Sequence, residues 1–358
     1  MWPRADLLNL LGIEHPIIQA PMTTIATPEL AAAVSNAGAL GSLGCGILPA
    51  AAIRDQLTAT QRATKRPINL NFFAHPKPTQ DAGAAQHMRE RLQGYYEELG
   101  LGPVPPPTEP FPTFDEDRLD IILEFRPRVV SFHFGLPDAT VVRRIKDAGC
   151  ILLCSATTVS EARQLEAAGV DAVIAQGFEA GGHRGTFTAG SGSGTLGTMA
   201  LVPQIADAVS IPVIAAGGIF DGRGIAAAFA LGAAGVQVGT AFLGCPEANV
   251  PPAYRAALHS ATDESTQLTR SFTGRPARVI RNRFVAEMAG EEHAALPFPL
   301  QASLVMPLMV AAAEDKPAEF LPMFAGQGVA KLRAMPAAAL VESLVAEARS
   351  HLRPSLVV

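Results

Sequence analysis

Eight short apolar runs, each stopping in glycine, cysteine, proline, amide, alanine or aromatic residues, constrain this chain more than any other feature. They cover residues 16–21, 39–44, 67–72, 129–134, 150–154, 172–176, 212–216 and 235–239. Short runs rich in Val, Ile, Leu and Ala mark strands buried on both faces. Helical patterns lie between several of them, over 28–37, 140–148, 160–168, 201–209 and 222–231. The later ones close on Ala-Gly or Leu-Gly, where glycine accepts the left-handed turn that stops a helix. Such alternation predicts a parallel sheet covered by helices. Eight repeats predict an α/β chain closed as a (β/α)₈ TIM barrel.

Two stretches break the rhythm. Residues 74–128, between the third and fourth strands, are longer than a crossover helix needs and contain Pro105-Pro-Pro107 and Pro110. They predict an insertion beside the barrel mouth, in the position of a lid. After the eighth strand, residues 246–358 are rich in Ala, Pro and polar side chains. This part is expected to form a smaller, mainly helical domain that completes the barrel of residues 1–245 and covers its site.

Composition sets outer bounds. At 358 residues, 48% hydrophobic and 17% charged, the chain has the makings of a large core. A formal net charge of −5 gives no footing for nucleic acid or an anionic membrane. The first residues lack a leader pattern, and the apolar stretch around 211–220 is interrupted by Pro and Gly and bounded by charge. Cys45, Cys150, Cys154 and Cys245 have no metal-ligand spacing. Cys150 and Cys154, four apart on one strand, stand roughly 13 Å from each other, beyond disulfide reach. Buried thiols in a reducing compartment are expected, hence a cytoplasmic protein, monomer or homodimer.

The chemistry concentrates at strand ends. The sixth run stops in Gln176-Gly-Phe-Glu-Ala-Gly-Gly-His-Arg-Gly185. Gly181 and Gly182 let backbone approach a ligand where a Cβ would intrude, which sets His183 beside that ligand. The seventh and eighth runs end in Ala216-Gly-Gly-Ile219 and Gln237-Val-Gly-Thr240. Barrels often hold phosphate at these two ends, so their amides predict a phosphate cradle. Gln19, Met22, Asn69, Asn71, His133 and Gln176 sit at other strand ends. The amides suit either the edge of a heteroaromatic ring or the satisfaction of loop backbone. His133 suits either a ligand or a core carbonyl. Gly190-Ser-Gly-Ser-Gly194 has the composition of a phosphate loop but follows no strand directly, and reads as a connection.

Taken together, Gln19-Ala-Pro-Met22, Asn69-Leu-Asn-Phe72, Ser131-Phe-His-Phe-Gly135, the segment from Ala175 to Gly185, Pro212-Val-Ile-Ala-Ala-Gly-Gly-Ile219 and Gln237-Val-Gly-Thr240 resemble the nitronate monooxygenase family, formerly 2-nitropropane dioxygenases. The resemblance runs over about residues 12–243, with an echo in Phe324-Ala-Gly-Gln327. It implies an FMN barrel that oxidises alkyl nitronates, or nitroalkanes, with O₂ to carbonyl compounds and nitrite. By position it implies that Ala20, Pro21, Met22, Asn71, Gln176, Gly181, Gly182, Gly217, Gly218, Gln237, Val238, Gly239 and Thr240 hold FMN. His183 is then the catalytic base and His133 a neighbour of the substrate. The chemistry agrees, since a neutral nitroalkane must lose a carbon-bound proton and a histidine suits that step. Flavin-dependent enoyl-acyl-carrier-protein reductases and NAD(P)H:quinone reductases share the fold, and a flavin-binding barrel without activity is a further alternative.

Overall fold

The computed structural model describes residues 2–188 and 194–352. Eight parallel strands make one sheet: β1 (Ile17–Gln19), β2 (Gly41–Gly44), β3 (Ile68–Phe73), β4 (Val129–His133), β5 (Ile151–Ala156), β6 (Ala172–Gln176), β8 (Val213–Ala216) and β9 (Gly235–Val238). Their order is β1-β9-β8-β6-β5-β4-β3-β2, and a parallel bridge between Ile18 and Leu40 brings the two edges together. The result is a nearly closed TIM barrel, and all eight apolar runs are its strands. Gly190-Ser-Gly-Ser-Gly194 lies outside the described residues except for its last glycine.

Alternation along each strand sorts the side chains. Leu70, Phe72, Val130, Phe132, Val173 and Ala175 face the surrounding helices in the main core. The alternate positions turn inward. At the N-terminal end of the barrel they are apolar, and Leu7 and Leu11 of the helix Asp6–Leu11 pack with Ile18, Leu40, Leu153 and Ile214 there. Toward the other end they become polar, as with Asn71, Ser131, Ser155 and Gln176. One end is a plug and the other a mouth.

The outer ring is completed from far along the chain. The helix Ala337–Leu352 packs against both Gly222–Ala230 and Pro28–Asn36, which is the place of the eighth barrel helix. Gly222 permits this, because a Cβ on it would stand 2.3 Å from the Ala348 nitrogen. Its amide donates to Glu347 Oε2 at 2.9 Å. Residues 246–336 are therefore spliced between the eighth strand and its helix.

Within 74–128, the helix Glu116–Phe125 packs against Ala50–Ala63 and Ala139–Asp147 and serves as the crossover helix between β3 and β4. The extra chain is what precedes it. Its helix Ala82–Glu98 buries Met88, Leu92, Tyr95 and Tyr96 in a second apolar cluster with Phe284, Leu304 and Phe320. The Tyr96 hydroxyl donates to the Leu304 carbonyl at 2.8 Å. Insertion and C-terminal region thus share one core, and that core lies against the barrel mouth.

A small antiparallel sheet joins the C-terminal region to the loop after β6: β7 (Gly182–His183) pairs with β11 (Ala277–Ile280), which pairs with β10 (Thr266–Thr269). Among the described residues, no helix is long and apolar enough to cross a membrane.

Candidate active site at the barrel mouth

A cavity of about 400 Å³ opens at the C-terminal ends of the strands, within the range of small-molecule and cofactor sites. Ala20, Pro21, Met22, Asn71, His133, Gln176, Gly181, Gly182, His183, Gly217, Gly218, Gln237, Gly239 and Thr240 all line it. Val238 does not. Its side chain lies in the outer core, 1% exposed, and only its carbonyl serves this end of the barrel, by accepting the Ala20 amide at 2.8 Å. Strand alternation explains the difference, since Gln237 points inward and its neighbour must point out.

One side of the cavity is built from backbone. Gly217 and Gly218 have φ of 109° and 71°, a region open to glycine and strained for other residues. Among the described residues, the amides of Gly217, Gly218, Gly239 and Thr240 donate to no protein acceptor. Gln237 Oε1 is buried without a partner. Unclaimed donors and an orphaned acceptor on one wall are what a polar ligand would satisfy. Glu179, also on this wall, is committed elsewhere: Oε2 accepts the Thr198 amide and hydroxyl, each at 2.9 Å, at the start of the helix Thr198–Ala206.

The segment 324–327 latches these loops together. The Gly326 amide donates to Thr240 Oγ1 at 2.9 Å, and the Gln327 amide to the Glu179 carbonyl at 3.0 Å. Tyr254 donates its hydroxyl proton to the Phe324 carbonyl. A Cβ on Gly181 would lie 2.6 Å from the Gly326 nitrogen. The absent side chain of Gly181 therefore makes room for this latch, where the sequence suggested room for a ligand.

The histidines occupy the opposite wall. Gln176 Nε2 donates to the His183 carbonyl at 2.9 Å, and its Oε1 accepts the Gly185 amide at 2.8 Å. Gln176 thus satisfies loop backbone, whereas Asn71 Nδ2 donates to a side chain of the neighbouring strand, Ser131 Oγ, at 2.9 Å. His133 Nε2 lies 3.1 Å from the same His183 carbonyl, and Nδ1 lies 3.0 Å from Ser155 Oγ. A carbonyl only accepts, so Nε2 of a neutral His133 carries the proton and Nδ1 accepts from Ser155. Both of its nitrogens are committed.

His183 is differently placed. Its Nε2 lies 2.9 Å from Thr273 Oγ1, which lies 3.5 Å from the Arg275 carbonyl. A hydroxyl that donates to that carbonyl accepts from Nε2–H, and Nδ1 keeps its lone pair. Phe324, Phe134 and Phe298 stand around the imidazole at centroid distances of 5.3, 5.7 and 5.7 Å. Burial, then His133 and Arg275, push His183 down to about 3. Burial likewise holds His133 at about 3, against the raising effect of its bond to the His183 carbonyl. Arg275 stacks 3.9 Å over the Phe134 ring. Both histidines are neutral at physiological pH.

Thr273, Tyr254, Phe298 and Met306 also line the cavity, and none was legible as a site residue. For Thr273 the available signal was Ser271-Phe-Thr-Gly-Arg275, a polar glycine turn between two short alternating strands. Among the described residues, no three His, Cys, Asp or Glu side chains are grouped to hold a metal.

Comparison with known proteins agrees with this geometry. The sequence pattern of the family described as nitronate monooxygenase matches residues 4–347. A nitronate monooxygenase of Paraburkholderia phytofirmans is 44% identical over 351 residues, covering 97% of this chain and 95% of that protein. One from Pseudomonas aeruginosa is 44% identical over 344 residues, covering 95% and 98%. Among solved structures, a nitroalkane oxidase from Streptomyces ansochromogenes superposes with a TM-score of 0.88 at 41% identity, covering 97% of this chain and 98% of that one. FabK from Thermotoga maritima superposes with a TM-score of 0.74 at 31% identity, covering 98% and 97%. The chain belongs to the nitronate monooxygenase family of TIM-barrel oxidoreductases.

Proposed function

We propose that the protein oxidises alkyl nitronates, and neutral nitroalkanes after deprotonation, with O₂ and bound FMN, giving a carbonyl compound and nitrite. One observation carries the reading: unclaimed amides at Gly217, Gly218, Gly239 and Thr240 face the same cavity as a neutral, hydrogen-bonded His183. The residues fit FMN. The four amides suit its phosphate, and Gln237 and Asn71 offer polar groups to the ring edge, with Met22 beside it. When bound, FMN supplies the electron acceptor that the side chains lack.

The chain's own part is to bind, to exclude water and to move one proton. His183, neutral and with Nδ1 unshared, takes the proton from the carbon beside the nitro group. That step turns two neutral partners into an imidazolium and a nitronate anion. Each charge then has its partner within the enclosed site, which offsets the burial that otherwise keeps His183 uncharged. A nitronate that arrives ionised skips this step. His133 holds His183 in place through the shared carbonyl and is a positioning residue in this scheme.

The test compares substrate forms. Positioned general bases contribute about 10² to 10⁴-fold, so His183→Asn should lose that much on a neutral nitroalkane and far less on the preformed nitronate, at equal flavin content. Equal losses on both forms would remove the base assignment. Flavin reduction by NADH with no response to nitronates would replace the oxidase with a reductase.

A further inference from the structure

We infer that Arg275 is a positioning residue for His183: its side chain supplies the donor that Pro276 cannot and clamps the Phe134 ring, so that Thr273 stays at His183 Nε2. The inference rests on the reaction proposed above, since it says how the base of that reaction is held. It begins with a gap in the ladder between β7 and β11. Their register puts Ala277 opposite His183 and Arg278 opposite Gly182, and the next step puts Pro276 opposite Arg184. The Arg184 amide donates to the Pro276 carbonyl at 2.8 Å. A hydrogen-bonded antiparallel pair returns a second bond from the facing amide, but proline has no N–H to give. Arg275 Nε donates to the Arg184 carbonyl instead, at 3.4 Å, and Nη2 donates to the Thr186 carbonyl beyond it. The guanidinium carries the pairing past the point where backbone can.

Its flat face has a second task. It lies 3.9 Å over the Phe134 ring, which stands edge-on to His183 at 5.7 Å and tilted against His133 at 4.5 Å. Phe134 is buried and has φ of 75°, a left-handed conformation that is costly for an aromatic residue. Such a residue persists only where its surroundings fix it, and the guanidinium covers this ring. Thr273 belongs to the same turn as Arg275, closed by the Gly274 amide donating to the Arg270 carbonyl at 2.8 Å. What pins Arg275 to the chain after β7 therefore pins the hydroxyl that meets His183. Glu161, the carboxylate whose charge acts on Arg275, is taken up by the Thr157, Phe187 and Thr188 amides. Arg275 does not line the cavity, so its effect reaches a substrate only through these neighbours.

The experiment measures Arg275→Met at equal flavin content. On a neutral nitroalkane kcat should fall about 10²-fold, the cost of a slightly misplaced base, while KM holds and turnover of the preformed nitronate stays nearly unchanged. Arg275→Lys keeps the charge but loses the flat fork; it should recover little of this, and it carries the test where Arg275→Met does not accumulate. Adding Pro276→Ala to Arg275→Met gives the Arg184 carbonyl a ladder donor again and should restore much of the rate. Full activity in Arg275→Met, equal losses on both substrate forms, full recovery by Arg275→Lys or no recovery in the double variant each overturns the inference, while a selective loss in His183→Asn keeps the reaction standing. Nitrogen NMR shifts of the His183 imidazole, from histidine-selective isotopic labelling, read the same arrangement without turnover. The unaltered protein should show one tautomer, protonated at Nε2, and Arg275→Met a mixture of two. A mixture in a protein that oxidises no nitronate would keep the positioning role and overturn the reaction. A single tautomer in Arg275→Met overturns the inference whatever the substrate.

Discussion

The two walls of the cavity are made in opposite ways. The cradle wall uses main chain just after β8 and β9, at Gly217, Gly218, Gly239 and Thr240, and its groups are supplied in chain order by the barrel itself. The histidine wall uses side chains, and its neighbours come from distant parts of the sequence: Phe134 after β4, His183 on β7, Thr273 after β10, Phe298 and Phe324 beyond. On the proposed reading, backbone donors would hold the ligand that is the same in every turnover. Side chains, which can be exchanged one at a time, tune what happens to the variable partner.

The largest expected effect lies on the cradle wall. Gly218→Val places a branched side chain at φ 71°, with its Cβ 3.3 Å from that of Glu179, and should abolish retention of FMN through purification. Absorbance of the purified protein decides it, and full flavin occupancy would remove Gly218 from the cradle.

A second test is acid. His133 and His183 are held near 3 in the folded protein against about 6.5 when unfolded. As pH falls from 6.5 toward 3 the unfolded chain takes up protons that the folded one refuses, so stability must drop, by up to about 1.4 kcal/mol per pH unit for each histidine. Urea midpoints at pH 6.5, 5.5 and 4.5 should show this slope, and His133→Asn should make it shallower. A variant with an unchanged slope would show that His133 titrates freely.

The smallest effect isolates one bond. Thr273→Val removes the oxygen 2.9 Å from His183 Nε2 and frees the tautomer, which should cost roughly tenfold on neutral nitroalkanes, near the net worth of one hydrogen bond. Thr273→Ser should restore the rate, and nitronate turnover and flavin content should hold in both. Loss of flavin in Thr273→Val would show that the two walls are not separable.

The same contrast decides what could be read in advance. Parallel strands buried on both faces announce themselves as apolar runs, and loops that must hold φ above zero announce themselves as glycine. The eight strands and the Gly217-Gly218 turn were therefore legible. The roles of Gln176 and Gly181 were only half legible, because one ties down the His183 carbonyl and the other clears a path for Gly326. These partners are fixed by tertiary packing alone. β7 is two residues long and gains its identity from pairing with Ala277 and Arg278, so no periodicity could reveal it. Phe298 and Met306 carry no local mark that separates a cavity wall from ordinary core.

The latch at 324–327 and the helix Ala337–Leu352 also govern the order in which a growing chain can become useful. All eight strands leave the ribosome before either piece exists. Until the latch arrives, Thr240 Oγ1 and the Glu179 carbonyl lack the amides that bind them. Until the last helix arrives, the groove between Gly222–Ala230 and Pro28–Asn36 stands open. Contacts of such long sequence separation form late and slowly, because a large loop must close before any contact repays the lost entropy. On the proposed reading, a flavin would find its finished site only after residues 324–352 have joined the barrel, and a nascent chain halted after β9 would carry the barrel's signature without that site.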